Sequence, residues 1–527
     1  MTVHSKPDME CEVSAELGHD ARELPEGWVE VGITEVAANE KFAIVDGPFG
    51  SDLKLTDYIE DGTVPVLTTK NLTGTYDPTT VRFISEKKFQ AIKRSKVVGG
   101  DILLAKIGSI GRCSIYPENA PAAIIPANLC KITVNPNIVF NRYLYLQIIA
   151  QDFQEKLQGI TSATAQPAFS VQRLKTLTIK LAPYTEQRRI VTKLELLLEK
   201  VTASQQRLSR IPVLLKRFRQ SILAAACCGK LTADWREDNP IQDNASNVIA
   251  ELEQAHEIAG GHKQGNAAPP TDEVHDLTEG ELPEGWSLTE LRSAVCPDRP
   301  ITYGILKPGP ETSGGIQYVR VADFPNDRLN LSTIRRTTTE IEKSFARARL
   351  REGDILLSIR GTVGRVCTVP RELNGANITQ DTARLSIQAV LNPSFVVWFL
   401  RAPITQKRMQ RAMKGVAVRG INIGDVRALQ LPVPPIAEQQ EIVRRIEQLF
   451  AFADQIEARL LLAQSHFDRL TQSVLRRAFR GELVPTEAEL ARQVGRGYET
   501  ASALLARMKK SREEITTAKP KRKRSGA

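Results

Sequence analysis

Two stretches of the chain place apolar residues at alternating spacings of four and three. In the first stretch only Ser204 is polar, and in the second every such position is apolar. A period of about 3.5 residues favours a narrow seam against another long helix. We therefore predict two long helices that pair with each other. The seam positions are Ile190, Leu194, Leu197, Val201, Ser204, Leu208, Ile211, Leu215, Phe218 and Ile222, then Ile442, Ile446, Leu449, Ala453, Ile456, Leu460, Ala463, Phe467, Leu470 and Val474.

The first seam contains Pro212, so we predict a kink or a lost backbone hydrogen bond there. Packing of each seam against its own domain is the alternative to pairing. A helix of more than about 30 residues extends to about 50 Å, at about 1.5 Å per residue, and would overhang a small domain. Pairing of the two seams is the favoured interpretation.

The chain also repeats short blocks in the same order, at offsets of 252 to 258 residues. The halves differ most between these blocks, as in residues 42–76 against 299–330. A shared scaffold with different interiors is typical of two domains that read different targets, and a pseudo-twofold would make the paired helices antiparallel. The repeated blocks are residues 24–28 and 282–286, 100–104 and 353–357, 108–112 and 361–365, 186–191 and 438–443, and 220–231 and 472–483.

Each half begins with short β-rich runs separated by Gly, Pro and Asn turns. The predicted fold class is α+β: two mixed α/β domains separated by two long helices that form an antiparallel coiled coil, with an internal pseudo-twofold repeat. The predicted division is residues 1–23 as a polar leading segment, 24–184 as the first domain, 185–231 as a central helix, 232–281 as a linker, 282–436 as the second domain, 437–484 as a distal helix, and 485–527 as a helical extension with a basic tail.

Composition narrows the class of protein. The 71 Lys and Arg residues exceed the 61 Asp and Glu residues, and the net charge of +10 would attract a polyanion such as nucleic acid. The seven cysteines form no C-x-x-C pair, so a disulfide framework or a zinc site is not indicated and a reducing cytoplasm fits. No apolar run approaches the roughly 20 residues that span a bilayer. We predict a cytoplasmic protein without a membrane segment.

Motifs for catalysis are absent from the sequence. Neither an H-E-x-x-H pair nor a G-x-x-x-x-G-K-[ST] phosphate loop occurs. Residues 392–395 (N-P-S-F) are similar to the tetrapeptide with which amino-methyltransferases hold a flipped base, but the second proline is missing. His466 lies beside the seam, where a structural role is favoured. We therefore predict no catalytic residue, metal or cofactor in this chain.

The repeated blocks resemble those of the specificity subunit of type I restriction-modification systems. The resemblance runs from Leu24 to about Pro485 and rests on L-P-x-G-W, G-D-I-L-L, G-[ST]-[IV]-G-R, E-Q-x-x-I-V and Q-S-[IV]-L, each occurring twice in the same order. It implies two target recognition domains, each reading one half of a bipartite site in double-stranded DNA. It also implies two methyltransferase and two restriction subunits as partners, which would hold S-adenosylmethionine, ATP and Mg. Residues 1–23 and 238–281 are additions to the family pattern.

Candidate DNA contacts are cationic and amide side chains on loops, which suit phosphates and base edges. Any one such residue is more often a solvated surface charge or part of a turn. The prediction of DNA contact therefore rests on the candidates as a group. Gly108, Gly111, Gly361 and Gly364 would let the backbone approach a phosphate. The basic tail at 519–524 is either a nonspecific phosphate contact or a solvated end. The candidates are Ser51, Lys54, Lys70, Asn71, Lys106, Ser109 and Arg112 in the first domain, and Lys307, Arg320, Asp323, Arg360, Thr362 and Arg365 in the second.

Two other functions stay open at this point. A fused DNA methyltransferase with an unrecognised active site would bind S-adenosylmethionine in isolation. A stand-alone DNA-binding regulator would bind its site tightly without partners. A subunit needs methyltransferase chains for full affinity.

Overall fold

A computed structural model describes residues 23–48, 50, 52–162, 166–240, 245–259, 282–413 and 419–517. These residues form two compact units. The first unit runs to Arg207 and resumes at Ala463, and the second is Leu208–Leu462. We call the globular part of the first unit the first domain and that of the second unit the second domain. Strands are combined with long helices, as the sequence predicted.

The helices and strands are numbered in chain order. Strands β1 to β11 are Val29–Gly32, Ile44–Asp46, Tyr58–Ile59, Val64–Val66, Arg82–Ile84, Lys96–Val97, Ile102–Ala105, Cys113–Ile115, Ala123–Ile124, Leu129–Ile132 and Thr178–Leu181. Strands β12 to β20 are Ser287–Glu290, Thr302–Tyr303, Ile316–Val319, Arg335–Thr337, Ile355–Ser358, Val366–Thr368, Asn377–Ile378, Thr382–Leu385 and Gln430–Val433. Helices α1 to α8 are Glu86–Ala91, Asn141–Ile149, Gln151–Gly159, Val171–Leu174, Tyr184–Leu208, Ile211–Cys227, Ala233–Asp238 and Ala245–Ile258. Helices α9 to α15 are Thr339–Lys343, Pro393–Arg401, Pro403–Arg411, Ile423–Arg427, Ile436–Ala478, Glu487–Val494 and Ala501–Thr517.

The first domain is built on a four-stranded antiparallel sheet with the strand order β2-β10-β7-β8. A five-stranded sheet, β3-β5-β4-β9-β6, contains a parallel pair in which Val66 lies beside Ile124. β1 pairs with β11 from Val29–Leu181 to Gly32–Thr178, so the beginning and the end of the domain meet. The second domain has matching sheets, with the orders β13-β19-β16-β17, β15-β14-β18 and β12-β20.

The I-L-L part of each G-D-I-L-L block lies in an inner strand of a four-stranded sheet, β7 or β16. Ile102 and Leu104 of β7 lie in one hydrophobic core of the first domain, whereas Leu103 and Ala105 lie in another. Successive side chains of a strand point to opposite faces, so a strand between two cores needs an unbroken apolar run. This explains why the block does not alternate with polar residues.

Two helices, α5 and α6, occupy the stretch that was predicted as one central helix. The helix ends at Leu208 and begins again at Ile211, with Pro212 in the first turn of α6. Proline fits a first turn because its missing N–H has no partner within the helix at that position. The distal helix α13 has no such interruption and runs for 43 residues.

A buried hydrogen bond joins the opening turn of each domain to the beginning of a long helix. Trp28 Nε1 donates to Glu186 Oε1 at 2.9 Å, and Trp286 Nε1 donates to Glu438 Oε2 at 2.8 Å. Both carboxylates are fully buried. Burial raises the pKa of Glu186. The L-P-E-G-W and E-Q blocks therefore meet in space within each unit.

Helices α15 and α8 also dock on these opening turns. The backbone N–H of Ala501 donates to Gly27 O at 2.9 Å, and that of Ala245 donates to Gly285 O at 3.1 Å. Residues 245–250 (A-S-N-V-I-A) and 501–506 (A-S-A-L-L-A) are similar in sequence, a relation that sequence analysis missed. The linker and the C-terminal extension therefore each supply a helix to a domain. Among the described residues, no helix is long and apolar enough to cross a bilayer.

Replacement of a core residue of α15 tests whether the extension is part of the first unit. Leu505 is 7% exposed and belongs to the main core of that unit. We expect Leu505→Ala to lower the free energy of unfolding by about 2–5 kcal/mol in denaturant titrations, because the deleted methyl groups leave a cavity. Leu462→Ala is the control, since that side chain is 62% exposed, and its effect should stay within about 0.5 kcal/mol. Equal effects of the two changes would contradict this role of α15.

Candidate functional site

Each G-[ST]-[IV]-G-R block forms a tight loop between two strands of a four-stranded sheet. The first glycine loop, residues 106–112, joins β7 to β8, and the second, residues 359–365, joins β16 to β17. Gly108 (φ +79°) and Gly361 (φ +71°) are exposed at the loop tips in a left-handed conformation that glycine adopts without steric cost. A Cβ at either position would meet no atom within 4 Å. Both loop tips therefore leave open space beside the backbone, where a ligand could approach.

The second pair of glycines is covered. Gly111 (φ +81°) and Gly364 (φ +94°) are buried. The amide group of Gln154 lies against Gly111, and that of Gln406 lies against Gly364, so that a Cβ at either glycine would collide with the amide oxygen. These two glycines serve the packing of the loop, and the tip glycines alone remain open to a phosphate.

Most polar candidates on the two loops face solvent. Ser109 and Arg112 are exposed in the first loop, and Arg360 and Thr362 are exposed in the second. Arg365 is half-buried. Its guanidinium donates to Val321 O at 3.1 Å. The loops thus bring exposed cations and hydroxyls together beside the open glycines.

Lys106 differs from the other loop candidates because it is turned inward. It is 5% exposed, and its ammonium group lies 2.6 Å from a carboxylate oxygen of Asp46. This buried ion pair ties the beginning of the first glycine loop to the end of β2. The corresponding position of the second domain, Ile359, is apolar and belongs to the hydrophobic core.

Further candidates lie on short 3-10 turns that follow β4 and β14. Lys70 is exposed, but Asn71 is turned inward, where its side chain accepts from Thr68 N at 2.7 Å and donates to Thr80 at 2.6 Å. Asn71 thereby holds the turn on which Lys70 sits.

The matching turn of the second domain is held by an ion pair. Asp323 is fully buried and accepts from the backbone N–H of Arg320 at 2.8 Å and from its guanidinium at 2.6 Å. The hydrogen bond that Arg320 donates to Asp323 raises the pKa of Arg320. Lys54 and Lys307 are exposed on separate loops, and Ser51 lies outside the described residues.

One exposed arginine near the second glycine loop was missed by sequence analysis. The backbone N–H of Gly361 donates to Arg419 O at 3.1 Å, and Gly420 forms an antiparallel bridge with Arg360. Arg419 is exposed. An R-G pair after α11 was the available signal, but only the fold connects it with a loop so far away in the sequence.

A buried aspartate anchors the strand that leads into each glycine loop. Asp101 accepts from Thr133 at 2.6 Å and from Lys131 at 3.3 Å. Asp354 accepts from Ser386 at 2.6 Å and forms a two-pronged ion pair with Arg299 at 2.8 and 2.9 Å. The Asp of G-D-I-L-L therefore has a structural role in both domains.

Several residues with the potential for chemistry have structural surroundings among the described residues. None of their His, Cys, Asp and Glu side chains forms a group of three or more that could hold a metal ion. Burial raises the pKa of Cys113 and of Cys130 to about 12, so these thiols stay protonated and unreactive. Asn392, in the N-P-S-F sequence, caps α10 by accepting from Ser394 N at 2.9 Å, so this sequence is a helix start.

Comparisons with known proteins indicate one family. A family model described as type I restriction modification DNA specificity domain matches residues 25–213 and 306–463. The chain is similar to the specificity subunit of the type I restriction enzyme EcoBI from Escherichia coli, with 32% identity over 403 residues, 76% of this chain and 78% of the relative. It is also similar to the EcoKI specificity subunit from Escherichia coli strain K12, with 27% identity over 520 residues, 96% of this chain and all of the relative.

A solved structure has a similar fold. It concerns complex assembly and conformational transition of the type I R-M system. The TM-score is 0.54 at 18% sequence identity, and the match covers 88% of this chain and all of the solved chain.

Removal of the Asp354 carboxylate tests the anchor of the second glycine loop. Its side chain is 2% exposed and that of Arg299 is 11% exposed. We expect Asp354→Ala to lower the free energy of unfolding by about 3–5 kcal/mol, because a buried guanidinium is left without its counter-ion. Asp234→Ala is the control: it removes the partner of Arg445, but the Asp234 side chain is 72% exposed, so the free energy of unfolding should change far less than for Asp354→Ala. Denaturant unfolding of both variants measures the difference, and a loss below 1 kcal/mol for Asp354→Ala would refute the anchor.

Proposed function

Because this chain belongs to the type I restriction modification DNA specificity family, we propose that it is the subunit that reads a bipartite DNA target, with one half-site per domain. The observation that carries the proposal is the pair of matching glycine loops, each with an open backbone tip and exposed polar side chains. Cations position a protein on phosphates, whereas amides and hydroxyls distinguish base edges. No chemistry on DNA is assigned to the chain itself.

We assign direct DNA contact to the exposed and half-buried candidates and loop positioning to the buried ones. Asn71, Lys106 and Asp323 make their hydrogen bonds inside the domains, so they fix the loops. Arg419 is added to the proposed contacts of the second domain because it is exposed beside Gly361. The proposed contacts are Lys54, Lys70, Ser109 and Arg112 in the first domain, and Lys307, Arg320, Arg360, Thr362, Arg365 and Arg419 in the second. Ser51 stays a sequence prediction.

We further infer that the two seams pair as an antiparallel coiled coil, related by a pseudo-twofold, and that this pairing sets the gap between the half-sites. In the first unit, Ile190 near the start of α5 shares a core with Leu475 near the end of α13. In the second, Ile222 near the end of α6 shares a core with Ile442 near the start of α13. In each unit the start of one helix and the end of another thus lie in the same core, as antiparallel packing requires.

An interhelical ion pair in the second unit supports the pairing itself. The guanidinium of Arg219 lies 2.6 Å from Asp454 and 3.0 Å from Glu457. Charge pairs that flank an apolar seam help to set the partner and orientation of coiled-coil helices. The helices α6 and α13 therefore have both an apolar and a charged basis for pairing.

Exposed apolar side chains on the long helices support docking of partner subunits. Val213 is 54% exposed and Leu214 is 58% exposed on α6, and Leu461 is 63% exposed on α13. Apolar side chains grouped on a surface commonly mark an interaction site. We propose that two methyltransferase subunits dock here and two restriction subunits join them in the cytoplasm. These partners would hold S-adenosylmethionine, ATP and Mg.

Mapping of methylated adenines tests the proposed function. The chain is produced together with a methyltransferase subunit encoded beside it, and methylated sites are determined across the host DNA. We expect one split motif, and we expect exchange of residues 42–101 with those of a relative to change one half only. Methylation without this chain, or a continuous motif that ignores the exchange, would overturn the proposal.

Salt dependence tests the phosphate contacts of the loops. In the complex with the methyltransferase, Arg112→Gln and Arg365→Gln should each reduce the slope of log affinity against log salt by about 0.9, because each removes one cation from a phosphate. Arg507→Gln is the control, since Arg507 pairs with Glu499 on the surface. An unchanged slope for both loop variants would exclude these arginines as phosphate contacts.

A charge on α6 tests the docking surface. We expect Leu214→Glu to abolish co-purification of the methyltransferase, because docking would bury an unpaired carboxylate. The thermal unfolding of the isolated chain should stay unchanged, since the side chain is exposed. Gln220→Glu adds the same charge at another exposed position of α6 and should leave the complex intact. Normal assembly of the Leu214→Glu variant would remove this surface from the interface.

A further inference from the structure

We infer that Gln154 and Gln406 are positioning residues that set the fidelity with which each domain reads its half-site. The inference rests on the proposed function and adds a named determinant in each domain. Neither glutamine belongs to a repeated block, and neither was a candidate from the sequence. The two act through the glycine loops and touch no DNA themselves.

The contact is the same in both domains. Gln154, on α3, donates from its amide nitrogen to Gly111 O at 3.1 Å and to Ile148 O at 2.6 Å. Gln406, on α11, donates to Gly364 O at 2.8 Å and to Leu400 O at 2.7 Å. In each case one amide group bridges the glycine loop and the helix that precedes its own.

The amide group also explains why the covered glycines must be glycine. At Gly111 the amide oxygen of Gln154 takes the space of a side chain, and the same holds for Gln406 at Gly364. The glutamine thus fits against the loop by shape as well as by hydrogen bonds. Two domains with different interiors keep this one arrangement, which points to a shared task.

The task follows from where the covered glycine lies in the loop. Gly111 is directly followed by Arg112, and Gly364 by Arg365. Glycine-rich backbone is conformationally free, so such a loop needs an external constraint. Recognition requires side chains to be held within about 0.5 Å of the productive geometry. Each glutamine supplies that constraint by tying the carbonyl of the covered glycine to the preceding helix.

Replacement of Gln154 or Gln406 by methionine separates the effect of the hydrogen bonds from the effect of side-chain packing. Gln154→Met keeps a side chain of similar length over Gly111 but cannot donate to the two carbonyls. Gln147→Met is the matched control. Gln147 lies on the neighbouring helix α2 of the same domain, and it makes two hydrogen bonds with the backbone of Lys180, at 2.8 and 2.9 Å, away from the glycine loop.

The experiment uses the complex with the methyltransferase and a set of DNA duplexes that carry one altered base in either half of the motif. For Gln154→Met we expect methylation of first-half mismatches, relative to the intact motif, to rise about tenfold. Discrimination in the second half should stay unchanged. Gln406→Met should give the converse result, and Gln147→Met should change neither half.

The results separate this inference from the proposed function. If the wild-type complex methylates no split motif, the proposed function fails. If it does, and both methionine variants keep full discrimination in both halves, the inference is overturned. A relaxation that affects both halves equally, or that Gln147→Met also produces, would show loss of stability only and would equally overturn it.

Discussion

The structure depends on a buried carboxylate at the beginning of each long helix. A buried charge is costly unless hydrogen bonds replace its water, so the surrounding chain must supply donors. Glu186 receives Trp28 Nε1 and the backbone N–H of Glu487, at 2.9 and 2.8 Å. The carboxylate and its two donors come from three distant parts of the sequence, namely the start of α5, the start of the first domain and the extension after α13. The carboxylate therefore fixes how the first unit is assembled.

The second unit meets the same requirement with other residues. Glu438 receives Trp286 Nε1 at 2.8 Å and the hydroxyl of Thr232 at 2.6 Å, and it pairs with Arg236. The donors lie again at the opening of the domain and in the segment after a long helix. The opening of the domain, the start of α13 and the segment after α6 all meet at this carboxylate. The domain is therefore fixed where its chain enters and where it leaves. The loops of the domain then vary without disturbing the scaffold.

The spacing of apolar residues and the repeated blocks predicted the long helices and the two domains. They did not predict the direction in which single side chains point. The apolar seam and the repeated blocks depend on many positions, so they are visible in the sequence. Lys106 and Lys70 are both lysines that come shortly after a strand. Lys106 is buried against Asp46, whereas Lys70 is exposed. Gln154, Arg419 and helix α15 reach their partners only through the fold, and a single pairwise contact leaves no periodic signal. For this reason the loops could be located from the sequence, whereas their supports could not.

The two domains combine a constant support with variable chemistry. Gln154 and Gln406 hold the loops by the same hydrogen bonds, but the loops differ in what they carry. In the first, Lys106 is paired inside the domain. In the second, Ile359 takes its place, and Arg360 and Arg419 add exposed charge. A loop that is held by a hydrogen bond to its covered glycine can change its exposed residues without losing its position, since that hydrogen bond does not involve their side chains. This separation of support from contact is what the proposed reading of two different half-sites by one scaffold requires.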